Sequence, residues 1–171
     1  MTVTTEILEA EAIRLVAAFT ARQAMIATAE SCTGGLIAGF LTDVPGSSAV
    51  LERGFVTYSN AAKAEMISVP AGLIAAHGAV SEEVARAMAE GALARSHADV
   101  AAAVTGIAGP GGGSADKPVG LVHFGLAGKA GTVHCVKRFG DLGRRQIRLE
   151  TVAIAFAMLD QWLQETAGTA P

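Results

Sequence analysis

A serine stands where a short apolar run gives way to a helical pattern. Ala24-Met25-Ile26-Ala27 leads into Thr28-Ala29-Glu30-Ser31-Cys32-Thr33-Gly34-Gly35, and Leu36, Ile37, Phe40 and Leu41 follow at helix spacing. A strand entering a helix through a tight turn of small residues exposes what sits in the turn, here Ser31. Backbone N–H groups at the helix start face the same place and can hold an anion or a developing oxyanion. A hydroxyl beside such donors is how a serine amidase would be built, given a base. Taken alone, Ser31 reads better as a helix cap.

Thr57-Tyr58-Ser59-Asn60-Ala61-Ala62-Lys63 supplies a candidate base. Tyr58 ends a predicted strand, and Lys63 falls in the first turn of the next helix, with Asn60 as its expected cap. The positive end of the helix dipole and partial burial both disfavour the ammonium and push the amine towards its neutral form. A general base requires that form. The Tyr58 phenol can sit between the amine and Ser31 and relay the proton. Singly, a solvated lysine and a tyrosine at a sheet edge are ordinary; together with the elbow they form a set.

Thr105 to Ser114 is a third constellation, with glycine at 106, 109, 111, 112 and 113. It lacks the Gly-Lys-Ser/Thr ending of a phosphate-binding P-loop, and no Gly-x-Gly-x-x-Gly precedes a helix. Nucleoside triphosphatase and dinucleotide-binding functions are therefore unsupported. The loop nevertheless leaves the end of a buried strand, where α/β proteins bind ligands. Glycine backbone there can approach a phosphate or a ring closely. Arg144, Arg145 and Arg148, at the start of the last helix, could reach a phosphate or form a solvated face. Glu30 could touch substrate or serve polar packing.

His77, His97, His123 and His134 are dispersed, though His123 and His134 lie on predicted hairpin strands and can pair across them. The two cysteines form no metal-ligand spacing. Cys135 reads as a small buried hydrophobe. Cys32 adjoins the turn, where a helix N-terminus would lower its thiol pKa and make it oxidation-sensitive.

These residues need a frame. Helices are predicted over 5–20, from about Thr33 to Asp43, after Asn60, after Pro70, from Ser81 to Ser96 and from Asp141 to Thr166. Strands are predicted over 24–29, 51–58, 99–105, 119–126 and 132–138, the last two joined by the hairpin Gly128-Lys129-Ala130-Gly131. Alternating strands and helices followed by a hairpin predict an α/β fold, a three-layer α/β/α sandwich with a mixed sheet. The 171 residues are 51% hydrophobic and 17% charged, which suits one domain over 1–171 with a core over about 5–165. The tail from Ala167 to Pro171 is expected to fray. A net charge of −3 offers nucleic acid no basic field, and no apolar run reaches the length of a membrane span. The N-terminus has no signal-type pattern, so a cytoplasmic location is expected. Gly- and Ala-rich helices and small size point to a homo-oligomer.

Six strings in order, TAESCTGGLIA (28–38), LTDVPGSSAV (41–50), ERGFVTYSNAAK (52–63), HGAVSEEVARAMAEGA (77–92), AVTGIAGPGGG (103–113) and KPVGLVHF (117–124), resemble the CinA C-terminal domain family, the PncC-type nicotinamide-nucleotide amidases. The resemblance runs from about residue 5 to about 165. It implies a three-layer α/β/α fold and hydrolysis of nicotinamide mononucleotide (NMN) to nicotinate mononucleotide and ammonia, in pyridine nucleotide recycling. The family's serine nucleophile matches Ser31, and its tyrosine and lysine match Tyr58 and Lys63. Substrate contacts would fall on Cys32, Thr33, Gly34, Thr105, Gly106 and Arg145. Ala61, where many members are acidic, and Ala115-Asp116 in the glycine loop depart from the pattern without touching these groups. The resemblance implies no metal and no organic cofactor. The expected oxyanion donors are the N–H groups around Cys32 to Gly34. The rival reading is a non-catalytic module that senses a nucleotide or serves competence machinery.

Overall fold

A computed structural model of the chain describes residues 2–167. Residues 168–171, in the tail expected to fray, lie outside the described residues.

The first helix, α1 (Thr5–Arg22), is capped by Thr4, whose hydroxyl accepts from the Ile7 N–H, and it buries Leu8, Ala12, Leu15, Val16 and Phe19. The remaining elements in chain order are β1 (Ile26–Glu30), α2 (Leu36–Thr42), a single 3₁₀ turn at Ser47–Ala49, β2 (Leu51–Val56), α3 (Asn60–Ile67), α4 (Ala71–His77), α5 (Glu82–Ala94), β3 (Val100–Gly106), β4 (Leu121–Gly128), β5 (Gly131–Arg138) and α6 (Arg144–Thr166). The sheet has five strands in the order β2-β1-β3-β4-β5. β1 runs parallel to β2 and β3, whereas β4 runs antiparallel to β3 and β5.

Strand alternation divides the core in two. Ile26, Val100, Ala102, Val104, Phe124 and Leu126 point to the layer of α1, α2 and α6. Ala27, Ala29, Ala101, Ala103 and Ala127 point to the layer of α3, α4 and α5, packing with Ile67, Ile74, Val84 and Met88. The small residues on this second face let helices come close: a Cβ on Gly125 would collide with the Ala85 carbonyl of α5. The architecture is the expected three-layer sandwich with a mixed sheet.

Local boundaries differ in three places that matter for the site. α2 begins at Leu36 rather than near Thr33, because Gly34 and Gly35 adopt positive φ (59° and 101°) and hold 31–35 as a turn. Ser59, not Asn60, caps α3, its hydroxyl accepting from the Ala62 N–H at 3.0 Å. α6 begins at Arg144, after a Gly143 with φ of 83°, so the arginines occupy its first turns. No described helix is long and apolar enough to cross a membrane.

Candidate active site

The C-terminal ends of the parallel strands converge on one place. β1 delivers Ser31, β2 runs into Thr57 and Tyr58, β3 ends in Thr105 and Gly106, and α3 carries Lys63 back across them. The Ser31 N–H donates to the Val104 carbonyl at 3.1 Å, which ties the elbow to β3. Lys63 Nζ lies 3.2 Å from Ser31 Oγ, 3.0 Å from the Thr57 carbonyl oxygen and 3.5 Å from that of Tyr58. Only 1% of Lys63 is exposed. Burial pushes its pKa below the usual 10.5, favouring the neutral amine.

The neighbours of this amine sort by chemistry. Two are carbonyls, which can only accept, and one is a hydroxyl, which can also donate. A neutral amine has two N–H bonds and one lone pair. With the N–H bonds on the carbonyls, the lone pair faces the Ser31 hydroxyl.

The amine reaches the serine directly, which corrects the expected relay. The Tyr58 hydroxyl instead accepts from Arg144 Nη2 at 2.9 Å, and Tyr58 is 58% exposed. Arg144 Nη1 donates to the Gly109 carbonyl at 2.9 Å, so Arg144 straps Tyr58 to the glycine loop.

The turn after Ser31 is held from two sides. Glu30, 1% exposed, folds its carboxylate under the start of α2. It accepts from Thr33 Oγ1 (2.6 Å) and from the N–H groups of Gly35 (3.0 Å), Ile37 (3.0 Å) and Ala38 (2.9 Å). Gly35, the residue at the N-cap position, has no side chain to do this. Glu30 is thus a helix cap rather than a substrate contact, and the first N–H groups of α2 are already occupied. From the other side, Arg148 Nε donates to the Cys32 carbonyl at 3.2 Å and Nη2 to the Thr33 carbonyl at 2.8 Å.

The Gly34 N–H closes back on the Ser31 carbonyl at 3.1 Å, so it is unavailable as an oxyanion donor. The N–H groups of Cys32 and Thr33 donate to no other described residue, and Thr33 is fully buried. Cys32 itself is 6% exposed, and burial pushes its thiol up to about 12. The expected lowering fails because the helix dipole starts later and water is excluded. Cys135 is also corrected: it is half-buried on the edge strand β5, not fully enclosed.

A cavity of about 240 Å³ opens above this arrangement, lined by Ser31, Cys32, Tyr58, Asn60, Lys63, Ala79, Val80, Thr105, Gly106, Ala108 and Arg144. Thr105 fixes one wall by donating its hydroxyl to the Ala79 carbonyl at 2.7 Å. Gly106 is required by packing, since a Cβ there would meet Val122 at 2.7 Å and the Leu121 carbonyl at 2.9 Å. Thr33 and Gly34 stand behind the lining, in the turn. Arg145, the expected substrate contact, is exposed and outside the lining, whereas its neighbour Arg144 lines the cavity. A wider groove of about 760 Å³ between α1 and α6 contains no candidate nucleophile, and its Arg14 is already paired with Glu11 and Asp160.

His123 and His134 do pair across the hairpin, Nδ1 to Nε2 at 3.0 Å, and His134 Nδ1 lies 3.4 Å from Glu82. Burial lowers both imidazole pKa values. Neither ring lines the cavity, and the described residues contain no cluster suited to a metal ion.

A family model for the CinA C-terminal domain matches residues 8–163, nearly the whole described chain. The chain belongs to the CinA C-terminal domain family. A CinA-like protein of Syntrophus aciditrophicus is 50% identical over 157 residues, which are 91% of this chain and 36% of that protein. The chain spans only a minor part of several curated relatives it matches, 24% for one from Symbiobacterium thermophilum. It spans far more of a nicotinamide-nucleotide amidohydrolase PncC of Enterobacter agglomerans, 50% identical over 143 residues that cover 84% of this chain and 87% of that one. Among solved structures, the competence/damage inducible protein CihA of Agrobacterium tumefaciens superposes with a TM-score of 0.89 at 54% identity, covering 92% of this chain and 95% of that one. The CinA match encloses every element that builds the cavity, from β1 to the first turns of α6.

Proposed function

We propose that this chain is an amidohydrolase that cleaves the carboxamide of NMN, giving nicotinate mononucleotide and ammonia through a serine acyl-enzyme. The observation that carries the reading is the direct contact of a buried Lys63 amine with Ser31 Oγ at 3.2 Å. The likeness to a relative named as a nicotinamide-nucleotide amidohydrolase supports the choice of substrate.

Neutral Lys63 takes the Ser31 proton as Oγ attacks the carboxamide carbon. The oxyanion is received by the N–H of Cys32, which lines the cavity; the loss of such a donor typically costs about 2.7–4 kcal/mol of barrier. The proton held by Lys63 passes to the amide nitrogen, and ammonia departs. Lys63, neutral again, then deprotonates a water that attacks the nicotinoyl ester; Ser31 recovers its proton and the acid leaves. Each cycle consumes one water and returns every side chain to its starting state.

A cavity of about 240 Å³ is smaller than the roughly 300–1,000 Å³ that encloses a drug-sized ligand. It suits the ring end of a nucleotide, with the phosphate at the rim. Arg144, at that rim beside Tyr58 and the glycine loop, is the cation for it. The Tyr58 oxygen accepts from Arg144, which leaves the phenolic proton free to bind substrate.

The test is ammonia release from NMN by the purified chain, beside Ser31→Ala. Turnover should be abolished in the variant while nicotinate mononucleotide still binds. Near-wild-type turnover by Ser31→Ala refutes the serine mechanism.

A further inference from the structure

Ser59 takes the cap of α3 in place of Asn60, its hydroxyl accepting from the Ala62 N–H. The Asn60 side chain is thereby released, and it lines the cavity. Its neighbours follow from helix geometry. Residues three apart share one face of a helix, so Asn60 and Lys63 are adjacent on α3. Helical side chains lean towards the N-terminus, and the Lys63 amine reaches back to the Thr57 and Tyr58 carbonyls, just before α3 begins. The amine that touches Ser31 Oγ and the short Asn60 amide therefore stand at the same end of α3.

The other polar side chains of the lining are engaged. Ser31 and Lys63 meet each other, Tyr58 and Arg144 meet each other, and Thr105 donates to the Ala79 carbonyl. The carbonyls nearest the base hold the Lys63 amine. Asn60 is the one nitrogen- or oxygen-bearing side chain of the lining with no partner among the described residues. A primary carboxamide bound at Ser31 brings a matching need. Its oxygen faces the Cys32 N–H, and its NH₂ presents two donors that require acceptors. An acceptor on one N–H fixes the plane of the amide. It also leaves the nitrogen lone pair, which localises as the carbon becomes tetrahedral, open to the proton on Lys63.

We infer that Asn60 is a specificity-determining residue of this site: its Oδ1 accepts an N–H of the substrate's carboxamide and turns the leaving nitrogen towards Lys63. The inference rests on the carboxamide reading above.

Asn60→Ala and Asn60→Asp in the full chain test this. The probes are NMN, nicotinate mononucleotide and acetylpyridine mononucleotide, in which a methyl replaces the carboxamide NH₂. An N–H left without its acceptor should cost Asn60→Ala about tenfold or more in kcat/KM for NMN. Its affinity for acetylpyridine mononucleotide should stay within about twofold of wild type, because the contact needs an N–H that the ketone lacks. Asn60→Asp keeps the acceptor and removes the donor. On the alkaline plateau, where Lys63 is neutral, it should recover part of the NMN loss. It should bind nicotinate mononucleotide at least about tenfold more weakly than wild type, since two carboxylates would face each other. Wild-type kcat/KM for NMN in Asn60→Ala overturns the inference. Equal weakening of NMN and of the ketone does so too, since it puts the side chain on the ribose or the ring. Undiminished nicotinate mononucleotide affinity in Asn60→Asp is a third refutation. If Asn60→Ala does not fold, Asn60→Asp, whose carboxylate suits the first turn of a helix, decides alone. No ammonia from NMN with the wild-type chain would sink the carboxamide reading itself. Ammonia release that Asn60→Ala leaves unchanged would sink only the role of Asn60.

Discussion

Replacing Lys63 by methionine removes the amine and keeps an unbranched side chain of similar length. If the amine at 3.2 Å from Ser31 Oγ is the general base, the loss is that of such a base, about 10²–10⁴ in kcat. At 1.36 kcal/mol per decade this is about 2.7–5.4 kcal/mol of barrier. Stability should respond quite differently. The variant strands the Thr57 carbonyl, which received the shorter of the two backbone contacts, at a cost of about 1–3 kcal/mol. It also removes a buried amine whose desolvation opposes folding, so the two effects offset. The pH dependence separates chemistry from stability. The folded chain holds the Lys63 pKa below the ordinary 10.5, so between those two values the unfolded chain binds more protons and wild-type stability rises with pH. Wild-type activity rises through the same lowered pKa, because only the neutral amine accepts a proton. Lys63→Met should lose both rises. Initial rates of ammonia release and urea midpoints, each measured across pH, give the two profiles. Activity within tenfold of wild type, or an acid-side limb that persists in the variant, would refute the assignment of Lys63 as base.

Tyr58→Phe should raise KM by up to about tenfold, the worth of roughly one hydrogen bond, and leave the acid-side limb of the pH–rate profile in place. A relay through the phenol would instead abolish that limb together with turnover. Glu30→Gln places an amide NH₂ against N–H donors of the α2 start, leaving at least one unpaired, and should lower unfolding free energy in urea by about 1–3 kcal/mol. Gly125→Ala drives a methyl into the Ala85 carbonyl; overpacking of about 1–3 kcal/mol should appear as a lower melting temperature with the Ser31–Lys63 chemistry intact.

Much of the site was legible because it hangs on strand ends. Ser31 follows an all-buried strand, and Lys63 is the fourth residue of the helix that follows another strand, so the α/β frame carries both to one rim. What escaped the sequence was register and long-range capping. Arg144 and Arg145 are neighbours, about 100° apart on a helix, and choosing between them requires the true start of α6, which Gly143 sets three residues later than the pattern suggested. Glu30 reads as one more polar residue because its partners lie beyond a turn. A signal existed, however: Leu36 opens a helix behind two glycines, with no Ser, Thr, Asp or Asn directly before it, so the cap had to come from elsewhere. The misjudged thiol of Cys32 follows from the same two glycines, which delay the helix and bury the residue that was expected at its tip.

The Arg148 clamp joins residues 116 and 115 positions apart in sequence. During synthesis, the nucleophile and its base emerge well before the helix that braces their turn. The segment made afterwards completes the earlier one: a nascent chain carries Ser31 and Lys63 but cannot hold the Cys32 and Thr33 carbonyls until α6 docks, so the turn takes its final shape only with the last helix in place.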